Sequence, residues 1–439
     1  MPRNALLFTA VLAAGCARTH EQAPNDKNAT TTAAAEEPAI VVEPFGPPVP
    51  APPSEPLRVL VGGDLIPHRP SLAAPDAVLS ALLPLASVFR GADAVVANYE
   101  AATGELAKKA FRLAYAAPSA WLGVLPEAGI TAVSVANNHA CDLGVDGLAA
   151  TLAAGDTSGL GMLGGDAKGD PWAPRTLATR GGKRVCGVAW TTLVNAEGAC
   201  ARSSRLAIAT GNTAGRQKVS AALERARETC DATVAIIHGG VEYVPQTSAV
   251  MAMARQAAEY GADAVVVHHP HVASPVVVHP TKDGRSIPIF ASVGNLVSNQ
   301  GESWKPSMFP VLRENRRMVC VNGWTRLGVL ADLAFDLAGA PRLDWSFHLL
   351  WTDNEHAEDK APVPKIATRI LDPEADAAVL SRLMQDTKGP VDLFDDPCWI
   401  EGRADHGEDS RDARCGTTLV RAAPRPSPAV AAVVRKRKR

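Results

Sequence analysis

The chain has 439 residues, of which 46% are hydrophobic, so it is long enough and apolar enough to form a sizeable core. Its formal net charge is -2, and its basic residues are spread along the sequence instead of being gathered on one predicted face. This distribution excludes the general electrostatic footprint of a nucleic-acid-binding protein, so we expect no nucleic-acid partner.

The first residues have the features of a secretion signal. Arg3 precedes an apolar run that ends near Ala14 and is too short to span a bilayer, which predicts a signal peptide over residues 1–16. The small residues before Cys16 resemble a lipobox, in which this cysteine is lipidated after cleavage. Ordinary cleavage near the same place, with Cys16 incidental, is the alternative, although we favour lipidation.

Residues 17–56 are rich in Ala, Thr and Pro and have no apolar periodicity, which predicts a disordered tether. From residue 57 onward, short β-branched runs alternate with Ala-rich stretches, the rhythm of a largely parallel sheet flanked by helices. We predict strands over residues 57–61, 94–97, 131–135, 184–189, 233–237, 264–267, 276–279 and 287–291. We predict helices over residues 77–88, 145–154, 215–229, 249–260 and 371–384.

These elements divide into one large domain and two C-terminal segments. The domain covers residues 57–355, an extension that packs on the domain covers residues 356–420, and a basic disordered tail covers residues 421–439. The tail ends in a cluster of Arg and Lys that begins at Arg435. A solvated tail is the favoured interpretation of this cluster, and contact with anionic lipid or polymer is the alternative.

The cysteines are expected to form disulfides, because export would place them in an oxidising compartment. Cys141 lies between His139 and Asp142 in the richest motif of the chain, and we expect it to stay unpaired. The other candidates are Cys186, Cys200, Cys230, Cys320, Cys398 and Cys415. They allow up to three bridges, whose connectivity the sequence does not determine.

Polar side chains follow the predicted strands at the points where these strands end. They are Asp64, Asn98, Glu100, Asn137, Asn138, His139, His238, His268, His269, His271 and Asn295. Because the carboxyl ends of strands in an open α/β sheet share one edge, we expect these side chains to converge. Each has a plainer explanation alone, such as helix capping by Asp64 or a core position for His238. Six such strand ends are hard to attribute to capping.

The run from His268 to His271 is the most informative of these strand ends. Positions two apart on an extended chain face the same way, and Pro270 favours an extended His269, so His269 and His271 should point into one site. A mixture of imidazole, carboxylate and amide ligands suits Mn, Fe or Zn better than Ca or a structural thiolate zinc. The sequence therefore predicts a centre for divalent transition metal, with room for two ions that share one carboxylate.

The same residues resemble the motifs of the CapA family, which is associated with poly-γ-glutamate capsule synthesis and belongs to the calcineurin-like metallophosphatase superfamily. The matching blocks are Gly63-Asp64, Ala97-Asn-Tyr-Glu100, Ala136-Asn-Asn-His-Ala-Cys-Asp142, His238-Gly-Gly-Val-Glu-Tyr243, Gly261-Ala-Asp263, His268-His-Pro-His-Val272 and Ser292-Val-Gly-Asn295. They span most of residues 57–299. The resemblance implies an α/β fold, a metallophosphatase-like sandwich of four αββα layers.

The resemblance also implies a role for each matched residue. The metal ligands would be Asp64 and His271 for the first ion, Glu100 as the bridge, and Asn138, His238 and His269 for the second ion. His139, oriented by Asp142, would protonate a leaving oxygen as the catalytic acid. The substrate pocket would be lined by Asn98, Glu242, Asn295 and His68.

One position departs from the superfamily pattern, which has a histidine two residues after the first aspartate. This chain has Ile66 there, so we expect the first metal ion to be held less securely than the second. His68 would supply the missing ligand if the loop after Asp64 bends back.

The resemblance implies a membrane-anchored protein of capsule or poly-γ-glutamate biosynthesis with a metal-dependent, phosphoesterase-like hydrolase site. The expected partners are an extracellular anionic polymer such as poly-γ-glutamate, or a phosphoester, together with other capsule-synthesis membrane proteins. We expect secretion and attachment to the bacterial cell envelope through a lipid anchor. The alternative is a non-catalytic polymer-binding or scaffold lipoprotein that has lost metal-dependent turnover, an interpretation that Ile66 favours.

Overall fold

A computed structural model describes residues 55–68, 71–106, 114–196, 198–308, 316–339, 341–354, 365–386, 389–400 and 417–419. The predicted signal peptide, Cys16, nearly all of the tether and the basic tail lie outside these residues. Among the described residues, none of the helices has the length and hydrophobicity that crossing a membrane requires.

Strands make up most of the regular structure. In the described residues they are β1 (Leu57–Leu65), β2 (Ala94–Tyr99), β3 (Ala102–Thr103), β4 (Ala116–Ala117), β5 (Ala132–Ser134), β6 (Gly161–Leu163), β7 (Arg175–Arg180), β8 (Lys183–Thr191), β9 (Ala232–His238), β10 (Ala264–His268), β11 (Val276–Pro280), β12 (Ser286–Phe290), β13 (Asn295–Val297), β14 (Leu327–Asp336), β15 (Arg342–Asp353), β16 (Ala367–Ile370) and β17 (Thr417–Leu419). Each predicted strand is present, with small shifts at its ends. The long strands β14 and β15 were not predicted, because residues of low β propensity such as Ala, Gly and Asp interrupt their apolar pattern.

The helices are α1 (Pro75–Leu82), α2 (Ala86–Arg90), α3 (Ser119–Gly123), α4 (Gly144–Thr157), α5 (Thr213–Thr229), α6 (Ser248–Glu259) and α7 (Ala377–Leu383). The helix predicted over residues 77–88 is interrupted by a 3-10 turn at Leu83–Leu85, because Pro84 has no N–H to donate. The helix predicted over residues 371–384 begins only at Ala377. The side chain of Asp372 accepts hydrogen bonds from the backbone N–H groups of Glu374 and Ala375, which forms a turn before the helix.

The strands form two large mixed sheets. The first has the order β16-β15-β14-β1-β2-β5-β6, with β13 beside β1 and β17 beside β15, and the second has the order β11-β12-β10-β9-β8-β7. The predicted parallel pairing holds for β1, β2 and β5 in the first sheet and for β8, β9, β10 and β12 in the second. The remaining long strands run antiparallel to their neighbours, so the prediction of a largely parallel sheet describes only part of each sheet.

Both sheets contribute to one central core, and each packs helices on its other face. Val59 of β1 and Val234 of β9 belong to the core between the sheets. Leu60, the next residue of β1, belongs to a second core that the first sheet forms with α1 and α4. Ala235 of β9 belongs to a third core with α5 and α6. Because side chains alternate along a strand, both faces of each sheet are buried, and the fold is an α/β sandwich as predicted.

The register of the parallel strands brings several polar residues to one edge of the sandwich. Asp64 of β1 is paired with Asn98 of β2 and with Asn295 of β13. In the second sheet His238 of β9 is paired with His268 of β10. The carboxyl ends of β1, β2, β9 and β10 are therefore aligned, as the sequence predicts.

One disulfide lies beside this edge, and another lies at the opposite end of the second sheet, near the start of β8 and β9. Cys141 is bonded to Cys200, which lies 59 residues further along the chain, and Cys186 is bonded to Cys230. The prediction that Cys141 stays unpaired is therefore wrong. The loop after β5 packs against the segment that contains Cys200, and both cysteines are buried there. Because this contact joins segments that are distant in the chain, the position of Cys141 next to His139 in the sequence does not reveal it.

Candidate metal centre

The predicted site residues converge at the aligned strand ends. Three oxygen-bearing residues come from the first sheet and its loops, and three histidines come from the second. They are Asp64, Glu100, Asn138, His238, His269 and His271, all buried to at least 95%. Because these polar atoms are removed from water, each needs a hydrogen bond, an opposite charge or a bound cation.

Glu100 lies at the centre of this group without a hydrogen bond. Both of its carboxylate oxygens are buried and have no hydrogen-bond partner among the described residues. Its Oε1 lies 3.9 Å from Nε2 of His139, 3.8 Å from Nε2 of His238 and 3.7 Å from Nε2 of His271. These distances are too long for hydrogen bonds but shorter than two metal–ligand bonds of about 2.0–2.2 Å each. For Glu100 with His238 and for Glu100 with His271, the geometry fits two ligands that share a cation.

Three sets of side chains have ligand atoms within 4.8 Å of one another. They are Glu100 with His238 and His269, Asp64 with Glu100 and His271, and Glu242 with His269 and His271. The first two sets share Glu100, in agreement with a carboxylate common to two ions. Nδ1 of His269 is buried and has no partner in the described part of the chain. The donor set and these unpartnered atoms fit a divalent transition metal.

Hydrogen bonds fix the orientation of Asp64. Its Oδ1 accepts a hydrogen bond of 2.7 Å from the Asn98 amide, and its Oδ2 lies 3.1 Å from Nδ1 of His271. Burial opposes ionisation, but the hydrogen bond and the charge of His271 outweigh it and hold the pKa of Asp64 well below its usual value. The Asp64 carboxylate is thus anionic at neutral pH.

His238 is held between two asparagines. Its Nε2 lies 2.8 Å from Oδ1 of Asn138, and its Nδ1 lies 3.2 Å from the Asn98 amide nitrogen. Burial, followed by the charge of His269, places the pKa of His238 well below its usual value. A neutral imidazole is the form that binds a metal ion, so His238 is prepared to act as a ligand.

The segment from His268 to His271 is not extended. His269 and His271 adopt positive φ values of 98° and 58°, which residues other than glycine rarely do. The prediction that an extended backbone points both side chains into the site is therefore wrong, although both side chains reach it. The backbone N–H of His269 donates to Oδ2 of Asp64, and this contact helps to hold the turn. Pro270 favours an extended backbone at His269, and the contacts of this turn override that preference.

His139 and Asp142 form a pair beside Glu100. Nδ1 of His139 lies 2.6 Å from Oδ2 of Asp142, which also accepts a hydrogen bond from the backbone N–H of Tyr115. The Tyr115 ring packs on the His139 ring with 4.2 Å between centroids, and the Asn195 amide lies 3.3 Å from Nε2 of His139. Tyr115 and Asn195 were not predicted, because they lie in loops without a recognisable pattern.

His68 does not occupy the position left by Ile66. Its Nδ1 accepts a hydrogen bond from the backbone N–H of Asn299, and its Nε2 lies 3.2 Å from the Tyr115 hydroxyl. Ile66 is fully buried. His68 belongs to none of the three ligand sets, so the loop does not bend back to supply the missing ligand.

Asn98 and Asn295 support the ligands instead of facing an open pocket. Oδ1 of Asn295 lies 3.1 Å from Nδ1 of His271, while its amide donates to Gln300 and to the backbone carbonyl of Thr325. Both asparagines are at least 98% buried, in contrast to the half-buried Glu242. Glu242 therefore lies nearer to solvent than either asparagine.

Similarity to known proteins covers this region of the chain. Residues 58–300 match the family described as "Bacterial capsule synthesis protein PGA_cap". The chain is 29% identical over 229 residues to the "PGA biosynthesis protein CapA" of Bacillus subtilis (strain 168), which covers 49% of this chain and 55% of that protein. It is 29% identical over 176 residues to the "Capsule biosynthesis protein CapA" of Bacillus anthracis, which covers 40% and 42%.

The chain thus spans about half the length of these two relatives. All residues of the candidate metal centre fall inside the matched region, between Asp64 and Asn295. The order of the motifs, their convergence in the fold and the extent of the match lead to one conclusion. The chain belongs to the PGA_cap family of bacterial capsule synthesis proteins, the CapA family that its motifs resemble.

Proposed function

We propose that this protein is a metal-dependent hydrolase of capsule-polymer synthesis. The observation that supports the proposal is the Glu100 carboxylate, which is buried, has no hydrogen bond to the described residues and is surrounded by three imidazoles. A protein interior tolerates such a group only if it is neutralised or paired with a cation. Similarity to proteins named for capsule and PGA biosynthesis gives the polymer context.

The ligand sets suggest how two ions would be held. Asp64, Glu100 and His271 would hold the first ion, and Glu100, Asn138, His238 and His269 would hold the second. Mn, Fe or Zn suits this mixture of oxygen and nitrogen donors. Such ions would supply electrophilic activation of the substrate and stabilise the negative charge that develops during hydrolysis.

His139 would act as the general acid. The Asp142 carboxylate holds Nδ1 of His139, so Nε2 would be the atom that gives a proton to the oxygen of the leaving group. The packing of Tyr115 on the imidazole and the contact from Asn195 restrict rotation of the ring. A fixed ring keeps the proton close to the reacting bond, which is how a positioned acid lowers the barrier.

We propose an anionic substrate, either a phosphoester or a polymer such as poly-γ-glutamate. The proposal also includes secretion, a lipid anchor at Cys16 with a flexible tether, and contact with other capsule-synthesis membrane proteins. These parts rest on the sequence features of residues 1–56 and on the names of the relatives.

A second candidate function is polymer binding or scaffolding without turnover. The observation in its favour is Ile66, an apolar and fully buried residue where the superfamily has a histidine ligand. A centre with one ligand fewer would hold its first ion weakly and would bind an anionic polymer without hydrolysing it.

Elemental analysis of the purified protein tests the metal centre, and His269→Ala and Glu100→Gln are the informative variants. His279→Ala is the control, because His279 pairs with Glu259 on α6, outside the three ligand sets. We expect near-stoichiometric Mn, Fe or Zn in the wild type and the control, with loss in both site variants. Folded wild-type protein that binds no transition metal would overturn the proposal. Bound metal without hydrolysis of aryl phosphodiesters or poly-γ-glutamate would favour the scaffold function.

A further inference from the structure

We propose that Glu242 is a direct metal ligand and supplies the carboxylate at the solvent side of the centre. This inference rests on the proposed function, because it requires the centre to bind a metal ion. It assigns to Glu242 the position that the sequence analysis sought to fill with His68. The predicted role of Glu242 was to line the pocket, and the geometry supports a closer one.

The Glu242 carboxylate lies among metal-ligand atoms. Its oxygen lies within 4.8 Å of ring nitrogens of both His269 and His271, and these histidines also belong to the two sets that contain Glu100. In the described part of the chain this carboxylate forms no hydrogen bond or ion pair that would hold it elsewhere. The Glu242 carboxylate, beside these two imidazoles, is therefore available to a cation.

The backbone on both sides of this contact is strained. Within the described residues, Tyr243, His269 and His271 are the non-glycine residues with positive φ, at 61°, 98° and 58°. Such conformations are strained and persist where the surrounding structure requires them. All three belong to the two loops that bring Glu242 to the histidines. The strain is thus concentrated where the ligand set forms.

One hydrogen bond joins the two strained loops. The backbone N–H of Tyr243 donates to the carbonyl of Pro270 over 2.7 Å, between the two histidines of the other loop. The bond fixes the residue next to Glu242 at the middle of the His269–His271 turn. It therefore holds the loop that carries Glu242 against the histidine turn before any ion is bound, which contributes to the preorganisation that a ligand set needs.

Glu242 is more exposed to solvent than the other proposed carboxylate ligands. Asp64 and Glu100 are fully buried, whereas Glu242 is half-buried. A carboxylate at the solvent side would add a ligand to a centre that Ile66 leaves short of one. Because carboxylate oxygen suits Mn better than softer ions, Glu242 should also shift the preference of the centre toward Mn.

Metal titration of the purified protein tests the inference, with Glu242→Gln as the main variant and Val241→Ala as the control. Val241 is the exposed neighbour in the same loop, so it reports general disturbance of the loop. Affinities for Mn²⁺ and Zn²⁺ are measured by competition with a chelator. The visible spectrum of the Co²⁺-loaded protein reports ligand replacement directly, and thermal unfolding confirms that each variant folds.

We expect Glu242→Gln to weaken Mn²⁺ binding by about 100-fold, the upper end of the range for residues that only support a ligand, and to weaken Zn²⁺ binding less. The Co²⁺ spectrum should change in Glu242→Gln and stay constant in Val241→Ala. A wild type that binds metal, together with a Glu242→Gln protein of unchanged affinity and spectrum, would overturn the role of Glu242 alone. A wild type that binds none of the three ions would overturn the metal centre itself.

Discussion

Replacement of Glu100 by glutamine should stabilise the metal-free protein and abolish its stabilisation by metal. Both oxygens of the buried carboxylate lack a hydrogen-bond partner among the described residues. A buried polar group without a partner costs about 1–3 kcal/mol, and more when it is charged. Glutamine removes the charge and offers an N–H donor toward the neighbouring imidazole nitrogens. We expect the free energy of unfolding of the metal-free protein to rise by about 1–3 kcal/mol at neutral pH.

The effect of Glu100→Gln should depend on pH in a defined direction. Burial, followed by the charges of Asp64 and Glu242, raises the pKa of Glu100 well above its usual value. A carboxyl group whose pKa is raised by folding destabilises the folded state as pH rises from the unfolded pKa of about 4.3 toward the folded value. The two metal-free proteins should therefore have similar stability near pH 4, roughly the unfolded pKa, and should diverge toward neutral pH.

Urea unfolding after treatment with a chelator measures the difference in stability between the metal-free wild type and Glu100→Gln. The same urea titration with added Mn²⁺ or Zn²⁺ measures how much metal stabilises each protein. At a metal concentration about 100 times the Kd, the wild type should gain about 2.7 kcal/mol, whereas Glu100→Gln should gain little. Metal should therefore remove most or all of the stability advantage of Glu100→Gln over the wild type. Glu259→Gln, on α6, is the control and should change neither result. A metal-free Glu100→Gln protein that is less stable than the wild type at neutral pH would refute the reasoning.

Three further changes address the acid, a buried ion pair and a disulfide. His139→Ala should lower turnover by about 10²- to 10⁴-fold with unchanged metal content, and metal loss would assign it a ligand role instead. Asp332→Asn should lower the free energy of unfolding by about 2 kcal/mol at neutral pH, because the hydrogen bond from Arg58 outweighs burial and holds the pKa of Asp332 at about 2. The stabilisation by ionised Asp332 is complete above about pH 4 and is lost as pH falls through 2. If urea unfolding shows that Asp332→Asn lowers stability equally at neutral pH and at about pH 2, the prediction is contradicted. The double change Cys141→Ser and Cys200→Ser should lower the free energy of unfolding by about 2–4 kcal/mol. It should also slow turnover, because it frees the loop beside His139. Unchanged activity would show that other contacts hold this loop.

The sequence was sufficient to locate the edge of the fold where the polar residues meet. The runs that end at Asp64, Glu100 and His238 are short, apolar and followed by a polar residue, and local patterns of this kind depend on neighbours in the chain. The sheet register then follows from the parallel pairing of such strands. For this reason the predicted strands and the convergence of the strand ends are both found in the structure.

Features that depend on distant contacts were not predictable in the same way. The left-handed backbone of His269 is held partly by its hydrogen bond to Asp64, more than two hundred residues away in the chain. The pairing of Cys141 with Cys200 and the contact of Asn195 with His139 depend on how two loops pack. Such contacts leave no periodic pattern, so the sequence predicts which side chains converge but not the loop contacts that position them.

The two sheets contribute different chemistry to the centre. Asp64, Glu100 and Asn138, from the first sheet, offer oxygen atoms, whereas the histidines from the second sheet offer nitrogen atoms. Oxygen ligands alone favour hard ions such as Mg²⁺ or Ca²⁺, and imidazoles alone favour Ni²⁺, Cu²⁺ or Zn²⁺. A mixed preference arises only after the sheets have packed together, so the identity of the retained ion would report whether the sandwich assembled correctly in the cell.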